Sequence, residues 1–351
     1  LTDKEIDNYI PGYMEEGRFD RDGNLKIFPF AKSTEVLLLN KTDWDKYAAE
    51  TGANIDQLKT FEGLTETAKK YYEWSGGKAF LGRDAFANYM IIGSKQLGTE
   101  IFEVKDGTVH VNLDEKIMRQ LWDNYYVPYI NGYFVSNGRF ASDDAKTGSV
   151  IAVVGSTSSA TYFPTKVTIS DTENYQIETM VLGAPVFNEG KRVAVQQGAG
   201  MVVTKSDERR EDAAAVFLKW LTEPDHNINF SITSGYLPVT IEANKKDRIK
   251  AEIEKSGEAV ISDTLKKTLS AAVDTTNNSE LYTNKAFEKG TEARAVLENS
   301  MKDKAKADRA AVEALIKSGV STQEAAAQFD TDDNFKQWFN RLRNDLDKAV
   351  Q

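Results

Sequence analysis

A turn rich in hydroxyl groups follows a strongly apolar segment near the middle of the chain. The apolar run from Val150 to Val154 predicts a buried strand, and the sequence GSTSS, from Gly155 to Ser159, comes directly after it. Hydroxyl groups and free backbone N–H groups at a strand-to-helix turn bind anions or sugar hydroxyl groups well. Ser156 and Ser158 are therefore candidate ligand contacts, with helix capping as the alternative role.

The carboxylates of the chain give little support for hydrolytic chemistry. Asp143 and Asp144 are adjacent in sequence, and such neighbours do not flank one scissile bond as the carboxylates of a glycosidase do. Asp84 and Asp274 are the only pair that can be nominated as two carboxylates facing each other across a cleft. Their spacing in the sequence gives no support for that arrangement. Asp84 opens a predicted helix that extends to about Leu97, so it is either a helix cap or a ligand contact.

A glycine turn separates two apolar runs in the segment that begins at Arg192. Val193 to Val195 precedes the turn, and Met201 to Val203 follows it. At Gly198 no side chain blocks the approach of the backbone to a ligand, although a turn with positive φ would also require glycine. Gln196 and Gln197 lie beside the first run and can bond either sugar hydroxyl groups or loop backbone.

A helix and an aromatic turn complete this segment. Ser206 is a possible helix cap, and five apolar residues at helical spacing predict that one helix face is buried. These residues are Ala213, Val216, Phe217, Trp220 and Leu221. Ser234 to Pro238, with the sequence SGYLP, then places Tyr236 on a tight turn, either in a binding site or in the core.

The remaining elements predict an α/β chain. Val36 to Leu39 is a continuous apolar run, as a buried parallel strand would be. Ser262 to Val273 predicts a helix, and Asp274 to Ser279 a polar break after it. Arg18 to Phe28 predicts a β-hairpin around Asp22-Gly23. A last helix carries a stripe that we expect in the core: Phe335, Trp338, Phe339, Leu342 and Leu346.

Composition excludes several classes of function. The 351 residues are enough for two domains of ordinary size. A net charge of −10 and the absence of a basic stripe argue against nucleic acid. Without cysteine there are no disulfides, thiolate metal sites or cysteine nucleophiles. His110 and His226 are far apart, which argues against a metal site or a histidine-based triad. We therefore expect no cofactor and no metal.

The order of these segments resembles the extracellular solute-binding proteins of ABC importers, specifically family 1, the carbohydrate and glycerol-phosphate group with maltose-binding-protein-like receptors. Phe28 to Lys41, FPFAKSTEVLLLNK, is similar to the family segment P-F-x-x-S-T-x-V-L-Y-Y-N-K. Leu182 to Pro185 is similar to the strand before the chain returns to lobe 1. The turn at Tyr236 matches the family's G-Y-L-P turn.

The resemblance implies a two-lobe periplasmic-binding-protein-like fold of type II. Lobe 1 would comprise residues 1–33 and 195–245, and lobe 2 residues 34–194 and 246–351 with the C-terminal helices. In the family, roughly 60 residues or more of alternating strands and helices precede the segment similar to Phe28–Lys41. Either the opening of lobe 1 is missing from this sequence, which we expect, or this protein builds lobe 1 differently.

The resemblance also implies the ligand contacts. They are Ser33, Asp84, Asn88, Ser156, Ser158, Gly198, Tyr236 and Asn277. The glycerol-phosphate receptors carry an arginine for the phosphate near the third crossing between lobes. No arginine lies between Arg248 and Arg294 here, which argues against glycerol phosphate as the ligand.

The implied function is capture of a small polar solute, a sugar or oligosaccharide, for the membrane permease of an ABC importer. The implied protein is a monomer without catalytic activity. It would be extracellular, as a membrane-anchored lipoprotein of a Gram-positive bacterium, or periplasmic. Two alternatives remain open: a carbohydrate-active hydrolase, and a cell-surface adhesin or scaffold on the same fold.

Overall fold

The protein is seen in a computed structural model that describes residues 1–19, 22–105, 107–256 and 261–351. Its strands are β1 (Phe28–Ser33), β2 (Glu35–Asn40), β3 (Leu81–Arg83), β4 (Phe102–Lys105), β5 (Thr108–Val111), β6 (Ala152–Ser156), β7 (Lys166–Thr168), β8 (Asn174–Gln176), β9 (Thr179–Gly183), β10 (Val193–Val195), β11 (Gln197–Met201) and β12 (Glu280–Tyr282). The predicted hairpin from Arg18 to Phe28 includes Asp20 and Arg21, which lie outside the described residues.

Helices make up most of the remaining regular structure. They are α1 (Asp3–Ile6), α2 (Pro11–Glu15), α3 (Lys41–Thr51), α4 (Phe61–Trp74), α5 (Phe86–Gln96), α6 (Glu115–Asp123), α7 (Tyr126–Ile130), α8 (Ala141–Lys146), α9 (Glu208–Leu221), α10 (Pro224–Ser234), α11 (Lys246–Ser256), α12 (Asp263–Asn278), α13 (Gly290–Lys317), α14 (Thr322–Ala327) and α15 (Asp332–Ala349). Two 3₁₀ turns, Ile55–Lys59 and Thr157–Tyr162, also occur.

A four-stranded sheet in the order β3-β6-β2-β9 forms the centre of the larger part of the molecule. All six residues of β2 are buried, as the apolar run predicted. The predicted parallel direction of this strand is wrong, because β2 runs antiparallel to both β6 and β9. A continuous apolar run indicates that both faces of a strand are buried. It does not indicate whether the neighbouring strands run parallel or antiparallel to it.

Two passages of the chain between paired strands lie beside this sheet. β1 leads into β2 through Thr34, and it pairs antiparallel with β11. β10 leads into β11 through Gln196, and it pairs in parallel with β12. The end of β3 lies beside β6, because Asp84 N–H donates to Val154 O at 3.0 Å. The turn after β6 reaches the first of these passages, because Thr157 N–H donates to Thr34 O at 2.9 Å. This arrangement gathers the polar turns of the sequence in one region.

Within the described ranges, the buried hydrophobic residues form three clusters. The largest contains the predicted stripe of α15, and all five of its residues are buried, so that prediction is confirmed. A second joins β2 and β6 to α10 and α12. The third is small and unites the first helices and β1 with α9, through Tyr9, Tyr13, Met14, Phe28, Leu218 and Val239.

The predicted burial of one face of α9 is wrong. Val216, Phe217 and Trp220 are 66%, 54% and 47% exposed, and Leu218 is the buried residue of this helix. Helical spacing identifies an apolar face, but it does not supply the element that would cover it. The cap also differs, because the Asp207 carboxylate, and not Ser206, accepts from Arg210 N–H at 3.0 Å.

The predicted polar break after Val273 is also wrong, since α12 continues to Asn278. Thr275 and Thr276 donate their hydroxyl groups to the carbonyls of Ala271 and Ala272, at 3.0 and 2.9 Å. Threonine satisfies its hydroxyl group in this way without leaving the helix.

Candidate functional site

Four of the residues predicted as ligand contacts line a single cavity of about 680 Å³, which we call the candidate cavity. They are Asp84, Ser156, Ser158 and Tyr236. The other lining residues are Ala85, Phe140, Ser142, Asp143, Lys146, Ser159, Thr161, Tyr162, Gln197 and Ser234. The cavity therefore combines hydroxyl groups, one amide, charged side chains and three aromatic rings.

The hydroxyl-rich turn contributes one wall. Ser156 ends β6, and its Oγ accepts from Ser158 N–H at 3.4 Å. The two hydroxyl oxygens lie 3.0 Å apart. The capping role and the position in the cavity thus occur together at Ser156, because capping uses only part of the hydrogen-bonding capacity of a hydroxyl group.

Tyr236 reaches the cavity from a tight turn at the end of α10. Gly235 has a φ of 77°, and a Cβ there would lie 2.9 Å from Thr157 O, so the turn fits closely against the hydroxyl-rich turn. The ring of Tyr236 is half-buried and packs on Phe230, with centroids 6.1 Å apart. This support leaves a stiff aromatic surface at the cavity.

Two further aromatic residues in the cavity were not predicted as contacts. Phe140 is 52% exposed and Tyr162 is 68% exposed. Exposed aromatic rings in a polar cavity suit the apolar faces of sugar rings. Tyr162 ends the 3₁₀ turn after the serines, which is a weak sequence signal, whereas no local pattern marks Phe140.

Asp84 is not the cap of the helix that follows it. The residue that precedes α5 is Ala85, which has a φ of 47°. In the first turn of that helix, Ala87 N–H donates to the Glu298 carboxylate at 2.7 Å, and not to Asp84. Asp84 Oδ1 accepts from Ala141 N–H at 2.9 Å, at the start of α8. Burial raises the pKa of Asp84, and within the described ranges its Oδ2 has no hydrogen-bond donor. This oxygen is available to a ligand.

The other carboxylates already have hydrogen-bond or ion-pair partners within the protein. Asp143 accepts from Phe140 N–H at 3.2 Å, and this bond together with Lys146 lowers the pKa of Asp143. Asp144 is buried and accepts from Gly138 N–H at 3.2 Å. Asp274 pairs with Lys246 and lines a different cavity from Asp84. The nominated hydrolytic pair is therefore not assembled.

The remaining predicted contacts lie outside the candidate cavity. Ser33 is 2% exposed and lies opposite Gln197 in the β1–β11 pair. Gly198 lines a neighbouring cavity of about 470 Å³. Its φ is 103°, and a Cβ there would come within 2.3 Å of Ala31 O, so the turn requires glycine. Asn277 is exposed on α12, where its Nδ2 lies 3.5 Å from Asn244 O.

Asn88 and Gln197 form a direct contact between distant parts of the sequence. Asn88 is 1% exposed and lines the neighbouring cavity, and its Nδ2 donates to Gln197 Oε1 at 2.9 Å. Gln197 lines both cavities. From the sequence we expected Gln197 to bond either sugar hydroxyl groups or loop backbone, and the side chain of Asn88 was not considered as its partner.

Neither a metal site nor a membrane span is found in the described part of the chain. No group of three or more His, Asp or Glu residues there is placed to hold a metal ion. Every helix in those ranges is too short or too polar to cross a lipid bilayer.

The comparison with known families identifies the class of protein. Residues 2–256 match the family described as bacterial extracellular solute-binding protein. This match covers more than half of the chain, so the chain belongs to that family and is a solute-binding receptor. The resemblance stated from the sequence is confirmed. No curated protein sequence matches the chain significantly.

Several solved structures share the fold of this chain. The cyclic alpha-maltosyl-1,6-maltose binding protein from Arthrobacter globiformis is 16% identical with a TM-score of 0.63, over 97% of this chain and 78% of that one. UgpB from Mycobacterium tuberculosis, solved in complex with glycerophosphocholine, is 16% identical with a TM-score of 0.64, over 98% and 76%.

A third structure, maltose-bound MalE3 from T. maritima, is 15% identical with a TM-score of 0.59, over 97% of this chain and 77% of that one. At such identities the likeness is one of fold. The predicted two-lobe periplasmic-binding-protein-like fold is confirmed.

Proposed function

We propose that this receptor captures a sugar or oligosaccharide in the candidate cavity and delivers it to the membrane permease of an ABC importer. The observation that carries the proposal is the combination of Phe140, Tyr162 and Tyr236 with hydroxyl and carboxylate groups in one cavity. The ligands printed for the similar structures, among them maltose, support a sugar.

The chemistry of the cavity fits a solute with many hydroxyl groups. Such a solute offers donors and acceptors together, and the cavity has both: the carboxylate of Asp84 accepts, whereas Ser156 and Ser158 donate or accept. Aromatic rings cover the apolar faces of a pyranose. A cavity of about 680 Å³ lies within the range of roughly 300–1,000 Å³ typical of small-molecule sites.

We propose the division into lobes at residues 1–33 and 195–245 against 34–194 and 246–351. The small cluster around Tyr13, Phe28 and Leu218 supports a separate core for the first part. Ile228 and Ile232 of α10 belong to the second cluster, and α10 packs on α11 and α12, so this helix contacts the other lobe. Closure of the lobes on the solute would bury the candidate cavity.

We also propose that the receptor acts without catalysis, as a monomer, and that nucleic acid is not a partner. The unassembled pair of Asp84 and Asp274 supports a non-enzymatic role. Anchoring as a lipoprotein on a Gram-positive cell, or a periplasmic location, rests on the resemblance to carbohydrate receptors. Turnover of a glycoside that is lost in Asp84→Asn would favour the hydrolase alternative.

A thermal-shift panel tests the proposed function. The panel contains maltose, maltotetraose, a uronic acid, glycerol phosphate and glycerophosphocholine. A ligand at 100 times its dissociation constant stabilises the folded state by about 2.7 kcal/mol, which raises the melting temperature by several degrees. We expect such a shift with at least one sugar. A shift with glycerophosphocholine alone, or with no member of the panel, would contradict sugar capture.

A further inference from the structure

A buried ion pair lies beside the crossing between β1 and β2. Arg83 Nη2 lies 2.6 Å from Glu35 Oε2, and the two side chains are 4% and 5% exposed. Glu35 Oε1 accepts from Asn88 Nδ2 at 2.8 Å. The carboxylate of Glu35 is thereby fixed between a guanidinium group and an amide.

The two charged neighbours of Asn88 determine which way its amide points. The carboxylate of Glu35 accepts hydrogen bonds, so it faces Nδ2. The guanidinium group of Arg294 can only donate, and it faces Oδ1. Reversing the amide would place donor against donor and acceptor against acceptor. The orientation of Asn88 therefore follows from the charges around it.

The orientation of Asn88 in turn determines that of Gln197. The second hydrogen of Asn88 Nδ2 points to Gln197, which must present its oxygen, Oε1, at 2.9 Å. The amide nitrogen of Gln197, Nε2, is then left without a partner in the part of the chain that the structure describes. Gln197 lines both the candidate cavity and the neighbouring cavity, whereas Asn88 lines only the neighbouring one of these two.

We propose that Asn88 is a positioning residue that holds Gln197 with its amide N–H group directed at the solute. Gln197 then selects an acceptor oxygen, such as a ring oxygen or a hydroxyl group, at its point in the cavity. The proposal rests on the proposed function, and it assigns Asn88 an indirect role and Gln197 a direct one.

The variant Gln197→Glu tests the direct role. It keeps an oxygen for Asn88 and replaces the N–H group with an acceptor, so we expect about tenfold weaker binding of the tightest-binding neutral sugar of the panel. Gln120→Glu is the matched control, since it makes the same change at an exposed position of α6. Binding by Gln197→Glu equal to that of the control would overturn the proposal.

A second variant, Asn88→Asp, tests the positioning role. An ionised carboxylate at position 88 keeps the bond from Arg294 but opposes the Glu35 carboxylate and has no hydrogen to donate to Gln197. Gln197 would then turn its N–H group toward residue 88 and present oxygen to the sugar. We expect a similar loss of affinity, although residue 88 does not line the candidate cavity. Unchanged affinity in a folded Asn88→Asp protein, with a normal circular dichroism spectrum, would overturn this role.

A measurement on the unaltered protein tests the contact of Gln197 with the sugar independently of any effect of the substitutions on stability. In nitrogen-labelled protein, the side-chain NH₂ resonances of Gln197 should shift when the sugar is added, whether or not either variant folds. Stationary Gln197 resonances in the presence of bound sugar would overturn the proposal and leave the proposed function standing. No binding to any member of the panel would overturn the proposed function, and this role with it.

Discussion

Two helices with aromatic stripes have opposite surroundings in this molecule. In α15, Phe335, Trp338 and Phe339 are each 3% exposed. In α9, Phe217 and Trp220 are 54% and 47% exposed. The sequence patterns are alike, and both predicted a buried face. An aromatic stripe therefore identifies a helix face suited to packing, whereas burial of that face depends on another element being present.

The neighbours of the two helices explain the contrast. α15 packs along α13 and against α6, and Trp338 Nε1 donates to Ser300 Oγ at 2.9 Å. α9 contacts β1 and α10, and reaches the small third cluster through Leu218. Met201, Val202 and Val203, which precede α9 in the chain, are exposed as well. Replacing an aromatic residue of α15 should therefore destabilise the protein more than replacing one of α9.

The largest difference should be in stability. Trp338→Ala removes a buried ring and should lower the free energy of unfolding by about 3–5 kcal/mol. Trp220→Ala removes a half-exposed ring and should cost less than about 1 kcal/mol. Urea denaturation of both variants measures the two values. Equal losses would show that the face of α9 is covered in solution and would break the comparison.

A backbone variant should have the next largest effect. Gly198→Ala forces a Cβ against Ala31 O at a φ of 103°, and should cost about 1–3 kcal/mol. Gly107 also has a positive φ, of 79°, but it has open space around the missing Cβ. Gly107→Ala should therefore cost only about 1 kcal/mol. A smaller loss in Gly198→Ala than in the control, by urea denaturation, would contradict the close packing at the crossing.

Two exposed phenylalanines extend the comparison from stability to binding. Phe140 lines the candidate cavity, and Phe217 lies on α9, with nearly equal exposure of 52% and 54%. Phe140→Ala should weaken sugar binding by about tenfold, since ring stacking contributes on the order of 1 kcal/mol. Phe217→Ala should bind as the unaltered protein does. Isothermal titration calorimetry measures the sugar affinity of both variants. A larger loss of affinity in Phe217→Ala than in Phe140→Ala would show that the sugar binds outside the candidate cavity.

The smallest expected effect depends on pH. Burial raises the pKa of Asp84 above its usual 3.8, so its ionisation destabilises the fold. Above the raised pKa the penalty is fully present, and as pH falls below 3.8 it disappears because the folded and unfolded states are both protonated. Asp84→Asn keeps an acceptor for Ala141 N–H and should melt slightly higher at pH 7, but not at pH 3. Lower stability at pH 7 would contradict this account.

Local patterns predicted much of the fold. The apolar run of β2 and the stripe of α15 are local signals, because each reports the burial of its own side chains. The direction of β2 and the exposure of α9 are not local, since both depend on neighbours far along the chain.

Some residues of the candidate site could likewise be predicted from local sequence, whereas others depend on residues far along the chain. Ser156, Ser158 and Tyr236 were predicted because hydroxyl groups on a strand-to-helix turn and an aromatic residue on a tight turn are visible in the sequence. The contact of Asn88 with Gln197 joins residues 109 positions apart, and no local pattern relates them. Phe140 lacked a signal because an exposed aromatic ring acquires meaning only from the cavity around it.

The central claim is that the candidate cavity, and not the exposed apolar face, holds the solute. Hydrogen–deuterium exchange with and without the tightest-binding sugar of the panel tests it most directly. We predict slower exchange in the peptides that contain Ser156–Tyr162 and Ser234–Pro238, and unchanged exchange in α9. Protection confined to α9, or to regions away from both turns, would contradict the account.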